Sequence, residues 1–316
     1  MKLNRFALYV WATLAFTLVV IVWGAFVRAT GSGAGCGSHW PLCNGVVVPR
    51  SATVETVIEL THRATSGILL LMVLGMLVWA FRAFPKGHTV RFGAVLSTVL
   101  ILIEALLGAG LVLFELVAEN DTAFRAIAMA LHLVNTFLLV GAITLTGWWA
   151  SGGAPLRLRG QGAVGVVLGV GILGFFLLGV SGAVTALGDT LFPALSTSEA
   201  ARLGITHWLL PLRIFHPLIA IGVGLYLVAA AGAVSLLRPS VSTRRLARIL
   251  TVLFVVQVGV GFLNIYLRAP VWMQLVHLLL ADFVWIALVL FSAAALALPG
   301  RVPAAEQAPA SPQLTR

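Results

Sequence analysis

The sequence predicts an all-α integral membrane protein with eight transmembrane helices, arranged as two pseudo-symmetric four-helix bundles. Three observations predict this fold class: the composition, the number of long uncharged segments and a repeated pattern of histidines. Of the 316 residues, 60% are hydrophobic and only 9% are charged, and the mean hydropathy is +1.06. Because about a quarter of the residues of a soluble domain are charged, this composition excludes the soluble classes.

Eight segments are long enough to cross a bilayer, which takes about 20 apolar residues in a helix. Six of them contain no charged residue, and the other two are each interrupted by one acid, Glu104 or Asp282, whose role the sequence leaves open. The first segment is longer than the apolar part of a secretion signal, so we interpret it as an uncleaved helix. In chain order the segments are 6–27, 64–81, 92–114, 126–156, 160–188, 214–237, 249–267 and 269–300.

The distribution of basic residues predicts the orientation of the chain. If the N-terminus is inside, 13 of the 20 Lys and Arg residues lie on the cytoplasmic side, as the positive-inside rule expects. Both termini are then cytoplasmic, and the chain is a multi-pass protein of the cell (inner) membrane. The net charge of +10 reflects this bias and attraction to membrane lipid, so it does not indicate nucleic-acid binding. The composition of residues 301–316 predicts a disordered cytoplasmic tail.

Four histidines lie in or beside the apolar segments and recur in both halves of the chain. His62 and His132 are 70 positions apart, and His216 and His277 are 61 apart. An ionisable residue inside a membrane is a functional candidate, and two equivalent pairs favour two metal centres over hydrogen bonds between helices. No group of cysteines or carboxylates would suit zinc or a di-iron site better. The expected metal centre is therefore haem.

Further marks support a duplication. The first helix ends in the segment GAFVRATG, which begins at Gly24, and the fifth ends in GAVTALG, which begins at Gly182. Each half contains an even number of helices, so the repeat is parallel, about an axis along the membrane normal. We predict an N-terminal bundle over residues 1–150 and a C-terminal bundle over residues 151–300, each with a site between facing helices.

One carboxylate and two arginines accompany the histidines. Glu59 precedes His62 by one helical turn on the same face, although a carboxylate near a helix N-terminus is also a common structural feature. The equivalent position in the second half is Arg213, which favours chemistry in one half and cofactor binding in the other. Arg63 and Arg213 are candidates for contacts with haem propionates, with ordinary snorkelling to the membrane interface as the alternative.

Both cysteines of the chain, Cys36 and Cys43, lie in the first outer loop. This loop faces the oxidising side of the membrane, so we expect them to form a disulfide. Whether that disulfide only cross-links the loop or is reduced and reoxidised in function stays open.

Two segments of the first half resemble bacterial haem A synthases: GSGAGCGSHWPLCNG, which starts at Gly31, and ELTHRATSG, which starts at Glu59. The resemblance covers almost the whole chain. It implies oxidation of a methyl group of haem O to the formyl group of haem A, haem O synthase as substrate donor, and a role in cytochrome oxidase assembly. The implied site residues are His62 and His132 for the substrate haem, His216 and His277 for a haem b cofactor, Glu59 as essential carboxylate, and Cys36 and Cys43 as a disulfide.

The chain departs from the pattern of the family at two points. Glu104 stands where the family would have Gln, which the second half retains as Gln257, and no second pair of cysteines follows the fifth helix. An iron with two histidine ligands has no open position for oxygen. We therefore expect oxidation at the rim of the substrate haem, with water as the oxygen source and Glu59 as the general base.

Two other classes of function share some of these features. A non-catalytic dihaem b-type electron carrier would have the same histidine pairs, but transfer across the membrane needs a haem near each face. A transporter would have broken helices at the membrane midplane, which the sequence lacks. The sequence leaves open the electron acceptor and whether the chain forms a homo-oligomer.

Overall fold

In the computed structural model of the chain, the described residues are 4–192, 199, 202–204 and 206–297. The predicted cytoplasmic tail, 301–316, lies outside them. Over the described residues the chain is helical, and an isolated β-bridge between Cys43 and Val46 is its sole extended pairing.

Eight long helices form the described part of the chain, and each is long and apolar enough to cross a membrane. The prediction of an all-α, multi-pass membrane protein is therefore confirmed. A single helical turn, Leu209–Leu212, precedes the sixth long helix. The long helices are α1 (Arg5–Ala29), α2 (Val54–Ala83), α3 (Thr89–Leu113), α4 (Ala123–Ala150), α5 (Ala163–Leu191), α6 (Phe215–Leu237), α7 (Val241–Tyr266) and α8 (Val271–Leu296).

Side-chain caps fix where several of these helices begin. A side-chain oxygen accepts a backbone N–H of the first turn, which satisfies a donor that has no partner within the helix. Because Thr53 caps α2, this helix begins ten positions before the uncharged segment 64–81, and both Glu59 and Arg63 are helical. The capping residues of α1, α2, α4 and α7 are Asn4, Thr53, Thr122 and Ser240.

The helices of each half follow one another around a four-membered ring. In the described residues α1 contacts α2 and α4, and α3 contacts α2 and α4; α5, α6, α7 and α8 repeat this order. Hence α2 lies diagonally opposite α4, and α6 lies diagonally opposite α8. The even-numbered helices all begin on one side of the molecule, which also carries the Cys36–Cys43 loop and is called the disulfide side below. On this basis we propose that the chain divides at residue 150 into an N-terminal and a C-terminal bundle. The pseudo-symmetry of the two bundles stays a prediction.

The two halves pack against each other through α4 and α8. The indole Nε1 of Trp285 on α8 donates a hydrogen bond to the carbonyl of Phe137 on α4, 2.7 Å away. Phe175 of α5 stacks on the same indole, with ring centroids 5.2 Å apart. A continuous cluster of buried apolar side chains draws on all eight helices. This packing fixes the spacing between the helices that carry the histidines.

Candidate functional site

In the C-terminal half, the imidazoles of His216 on α6 and His277 on α8 face each other. Their ring centroids are 6.3 Å apart and their planes make an angle of 86°. Two imidazoles that share one metal through bonds of about 2.0–2.1 Å have centroids roughly 6 Å apart. The observed spacing therefore fits a single metal ion between the two rings. Ser181 Oγ lies 3.0 Å from Nδ1 of His216 and so fixes the orientation of that ring.

Gln257 and Gly261 of α7 both contact His277. Gln257 Nε2 donates to the backbone carbonyl of His277 at 3.0 Å, and it lies 3.4 Å from Nε2 of the His277 ring. A Cβ added at Gly261 would lie 3.0 Å from Cε1 of the ring. Nδ1 of His277 is buried and has no hydrogen-bond partner. Burial of a polar atom without a hydrogen-bond partner costs free energy. One ring nitrogen of His277 is therefore available to a ligand.

In the N-terminal half, His62 on α2 and His132 on α4 occupy the corresponding diagonal. The two imidazoles are close enough to interact electrostatically, and each is half-buried inside its bundle. Nδ1 of His62 is buried without a hydrogen-bond partner, as in His277. His216 and His277 are therefore brought together across their bundle, whereas His62 and His132 share a diagonal and an electrostatic interaction.

A carboxylate stands beside His132. Glu104 Oε1 of α3 lies 3.2 Å from Nδ1 of His132, although the contact lacks the alignment of a hydrogen bond. The Glu104 carboxylate also accepts from Asn135 Nδ2 at 2.5 Å and from the Thr136 hydroxyl. Three side chains of α4 thus hold it in place, and this half-buried acid of α3 stands beside a candidate iron ligand.

Gly24 and Gly182, which the sequence analysis identified only as part of the repeat, lie against His62 and His216. A Cβ added at Gly24 of α1 would lie 2.8 Å from Cε1 of His62, and one at Gly182 of α5 would lie 3.1 Å from Cε1 of His216. Only a residue without a side chain lets these rings approach α1 and α5 so closely. The shared Gly-Ala pairs were the signal for these positions, but their contact with the histidines was not predicted.

All four histidines lie near the disulfide side. His62, His132 and His277 follow the first residues of their helices by eight, nine and six positions, which corresponds to about 9–14 Å along the helix axis. His216 lies seven positions after Leu209, the first residue of the turn that precedes α6. The two pairs therefore occupy the same side of the molecule at similar depth.

Glu59 is buried beneath the disulfide loop, with only 3% of its surface exposed. Its Oε2 accepts the backbone N–H of Cys36 at 2.8 Å, and its Oε1 accepts from Nε of Arg63 at 3.1 Å. The disulfide between Cys36 and Cys43 is present. Glu59 is therefore an ion-paired group one turn from His62, rather than a solvated carboxylate at the membrane interface.

The two candidate propionate ligands both bind protein groups. Arg63 Nη1 donates to the carbonyls of His39 and Leu42, each at 2.7 Å, and so fixes the disulfide loop to α2. Arg213 Nε lies 3.1 Å from Oδ1 of Asp189, and its Nη2 donates to the carbonyl of Phe192 at 3.1 Å. Their contacts with propionates stay a prediction.

The set of donors suits haem better than a bare metal ion. Among the residues that the structure describes, no three or more His, Cys, Asp or Glu side chains come together as a metal site. Haem supplies the equatorial nitrogens itself and takes one or two axial ligands from the protein. Two histidines across each bundle, with unsatisfied ring nitrogens in His62, His132 and His277, are such a set. Asp282 is fully buried nearby on α8 and both its oxygens lack a described partner, but the structure assigns it no role.

The model of the COX15-CtaA family, described as cytochrome oxidase assembly protein, matches residues 7–289. The chain belongs to this family. The resemblance to bacterial haem A synthases inferred from the sequence is thereby confirmed. The matched residues include both histidine pairs.

Individual relatives fall into two groups. Protoheme IX farnesyltransferase of Thermus thermophilus is 55% identical over 296 residues, which is 93% of this chain but 49% of that protein. Heme A synthase of Shouchella clausii is 42% identical over 128 residues, 40% of each chain. Heme A synthase of Geobacillus kaustophilus is 40% identical over 134 residues, 42% of this chain and 40% of that one. The chain thus spans about half the length of the Thermus relative, and it matches a smaller part of the other two.

Proposed function

We propose that this chain is a haem A synthase, which oxidises a methyl group of haem O to the formyl group of haem A for cytochrome oxidase assembly. The observation that carries the proposal is the pair of imidazoles at His216 and His277, whose 6.3 Å spacing fits one iron. His62 and His132 lie on the helices of the corresponding diagonal, α2 and α4. Membership of a cytochrome oxidase assembly family and matches to proteins named Heme A synthase support it.

The two sites are proposed to differ in their roles. His62 and His132 would hold the substrate haem O, because Glu104 contacts His132 and Glu59 lies one helical turn from His62. His216 and His277 would hold haem b, which supplies one-electron transfer away from the substrate site. In the second half Arg213 and Gln257 replace the two acids.

Haem O held through its iron by two histidines has no vacant coordination position, so the oxidation is proposed to occur at its rim. Conversion of the methyl group to a formyl group consumes one water and releases four protons and four electrons. The oxidation therefore needs an electron acceptor outside this chain.

Glu59 is proposed to orient that water and accept a proton from it. A carboxylate has about four lone-pair positions, and the N–H of Cys36 and two N–H groups of Arg63 occupy three of them. One position, on Oε2, is left for a water molecule. Arg63 fixes the orientation of the carboxylate through the contact of its Nε with Oε1.

The rival function, a dihaem electron carrier across the membrane, is disfavoured by the depth of the pairs. Both lie on the disulfide side, whereas transmembrane transfer needs one centre near each face. We propose that the disulfide side is extracytoplasmic and that both termini are cytoplasmic, in the cell (inner) membrane.

The supply of haem O is proposed to come from a haem O synthase. The Thermus relatives are named for farnesyl transfer to protohaem and are about twice as long as the part that this chain matches. Such a chain has room for a second activity next to the one proposed here.

The experiment that tests the function is identification of bound haems by mass. The chain is produced with and without a haem O synthase, and its haems are extracted and compared. Haem A is expected only when haem O is supplied. If protohaem alone is found in both cases, the chain is an electron carrier and the proposed reaction is wrong.

A further inference from the structure

The last turns of α2 carry an open groove, on the side of the molecule opposite the disulfide side. This α2 groove has a volume of about 670 Å³ and is lined by Leu74, Gly75, Val78, Trp79, Arg82 and Ala83. Sites for small molecules have volumes of roughly 300–1,000 Å³, so the groove is large enough to hold part of a ligand. Because α2 is one of the helices that are long and apolar enough to cross a membrane, a groove on its outer surface faces lipid.

Packing of α1 against α2 fixes one wall of the α2 groove. The Trp79 indole packs edge-on against Phe6 and tilted against Tyr9, with ring centroids 5.6 and 5.5 Å apart. The Tyr9 hydroxyl donates to the carbonyl of Met72 at 2.9 Å. A Cβ added at Gly75 would lie 2.8 Å from the Tyr9 hydroxyl oxygen, so the glycine lets α1 approach this closely. The wall is therefore built by two packed helices rather than by a loop.

Arg82 stands at the polar end of the α2 groove. It follows Leu74 and Val78 at intervals of four residues, so the three side chains lie in one row along the helix. Arg82 is exposed, and among the described residues it has no hydrogen-bond or ion-pair partner. Two further exposed cations, Arg5 and Lys86, belong to the same end of α1 and α2.

No acid of the described part of the chain is available to these cations. Every acid among the described residues lies in the half of the molecule next to the disulfide side, and even Asp282, which is deep in the membrane, belongs to the first half of α8. Basic residues beside a membrane attract anionic headgroups, by about 1 kcal/mol for each Lys or Arg. An anion of the membrane is therefore the partner that the charge at this end favours.

We propose that the α2 groove binds one anionic phospholipid, with its phosphate at Arg82 and part of an acyl chain against Leu74 and Val78. Arginine suits this role because its planar fork donates two hydrogen bonds to a phosphate. Trp79 lies between the charged and the apolar part, as tryptophan does at the level of lipid headgroups. The inference is independent of the proposed haem sites.

The second half of the chain differs at the corresponding place. Its helix α6 ends at Leu237, and the next residue, Arg238, is buried and donates to Oε1 of Gln161 at 2.9 Å. This arginine is bound within the protein, whereas Arg82 reaches the surface. We therefore expect one such lipid for each chain.

The test is native mass spectrometry of the full-length chain in detergent, titrated with phosphatidylglycerol or with diacylglycerol of the same acyl chains, which lacks the phosphate. One phosphatidylglycerol is expected to bind to each chain, more tightly than diacylglycerol. Arg82→Ala should weaken phosphatidylglycerol binding on the order of tenfold, the effect of one charged hydrogen bond. Its affinity for diacylglycerol should not change. Arg82→Lys, which keeps the charge but not the fork, should give an intermediate loss.

Arg245→Ala is the matched control for charge, because Arg245 is an exposed arginine of α7 on the same side of the molecule and outside the groove. It should leave the affinity for both lipids unchanged. Equal losses of phosphatidylglycerol in Arg82→Ala and Arg245→Ala would mean that general positive charge attracts the lipid, and the proposal would be wrong. No loss in Arg82→Ala would equally overturn it.

Val78→Trp fills the α2 groove without changing its charge and should weaken the binding of both lipids. Leu225→Trp, at an exposed position of α6 outside the groove, is its control and should bind both normally. The midpoint of thermal unfolding without added lipid shows whether each variant is folded, and Leu74→Trp takes the place of Val78→Trp if that variant is not. Unchanged lipid binding in a folded variant with a filled groove would contradict the proposal.

Two further outcomes would assign the groove to another occupant. If glycerol phosphate displaces phosphatidylglycerol at equal concentration, the site recognises a free phosphate group and not a lipid. If the spectra show pairs of chains that Val78→Trp separates while its lipid binding is unchanged, the groove is an interface between two copies of the chain. Either result would overturn the proposal.

Discussion

The carboxylate of Glu104 lies 3.2 Å from Nδ1 of His132, whereas His277 in the other half is contacted by the uncharged amide of Gln257. A carboxylate beside an axial histidine increases electron donation from the imidazole to the iron. An amide carries no such charge. Each site has its own pair of histidines, but the residue beside one histidine is charged in the first site and uncharged in the second. The irons proposed for the two sites are therefore expected to differ in reduction potential.

Glu104→Gln should raise the midpoint potential of the N-terminal haem. Loss of the carboxylate removes a negative charge that stabilises the oxidised iron, and a shift on the order of 60 mV corresponds to a tenfold change for a one-electron couple. Spectroelectrochemical titration of both haems measures it. Gln257→Glu is the reciprocal variant and should lower the potential of the C-terminal haem. An unchanged N-terminal potential in Glu104→Gln would contradict the assigned contact.

Gly24→Ala should abolish haem binding at His62 and leave the C-terminal haem in place. The new Cβ would lie 2.8 Å from Cε1 of the His62 ring, which must then move. Alanine favours a helix over glycine by about 1 kcal/mol, so a weaker helix cannot explain the loss. Haem content per chain, compared with His62→Ala, measures the effect. Gly67→Ala is the control, because no atom lies within 4 Å of its added Cβ; normal haem content in Gly24→Ala would refute the prediction.

Glu59→Gln should retain haem at both sites and stop the conversion of haem O to haem A. The amide oxygen can still accept the N–H of Cys36, but the side chain can no longer take up a proton, and loss of a general base lowers rates by about 10²–10⁴-fold. Mass analysis of bound haems measures conversion and retention together. Glu55→Gln, an exposed acid in the first turn of α2, is the control and should remain active. If Glu59→Gln loses its haem, the residue is structural through its pairing with Arg63.

Replacing both cysteines by serine should destabilise the protein without stopping turnover. Closure of so short a loop contributes roughly 2–3 kcal/mol, but Glu59 and Arg63 still hold the loop through its backbone. A lower midpoint of thermal unfolding with continued formation of haem A is expected. Loss of turnover in a variant that keeps its fold and both haems would show instead that the disulfide is reduced and reoxidised in the reaction.

Hydropathy predicts the number and order of the helices but not all their bounds. An uncharged segment stops at the first charged residue, whereas α2 continues outward through Arg63 and Glu59 to Val54, and α7 begins before Arg244. Charged residues in these turns are stable because they face the disulfide loop or the membrane interface. The sequence criterion therefore fails where a helix leaves the apolar part of the membrane.

The histidine pairs could be predicted because a duplicated chain repeats them at matching positions. The contact of Gly24 with His62 and the bond of Arg28 to Gln274 could not. They depend on how α1 is rotated against its neighbours, which neither charge nor hydropathy encodes. Arg28 and Gln274 are 246 positions apart, and in the sequence Arg28 is only one more basic residue of an outer segment.

The electron paramagnetic resonance spectrum of the oxidised, haem-loaded chain tests most directly whether each half holds iron between two imidazoles. Two low-spin signals are expected, and the C-terminal one should be strongly anisotropic because the ring planes of His216 and His277 are 86° apart. His216→Ala should remove that signal and leave the other. A high-spin spectrum of the unaltered chain, or a low-spin spectrum that neither His216→Ala nor His62→Ala changes, would contradict the account.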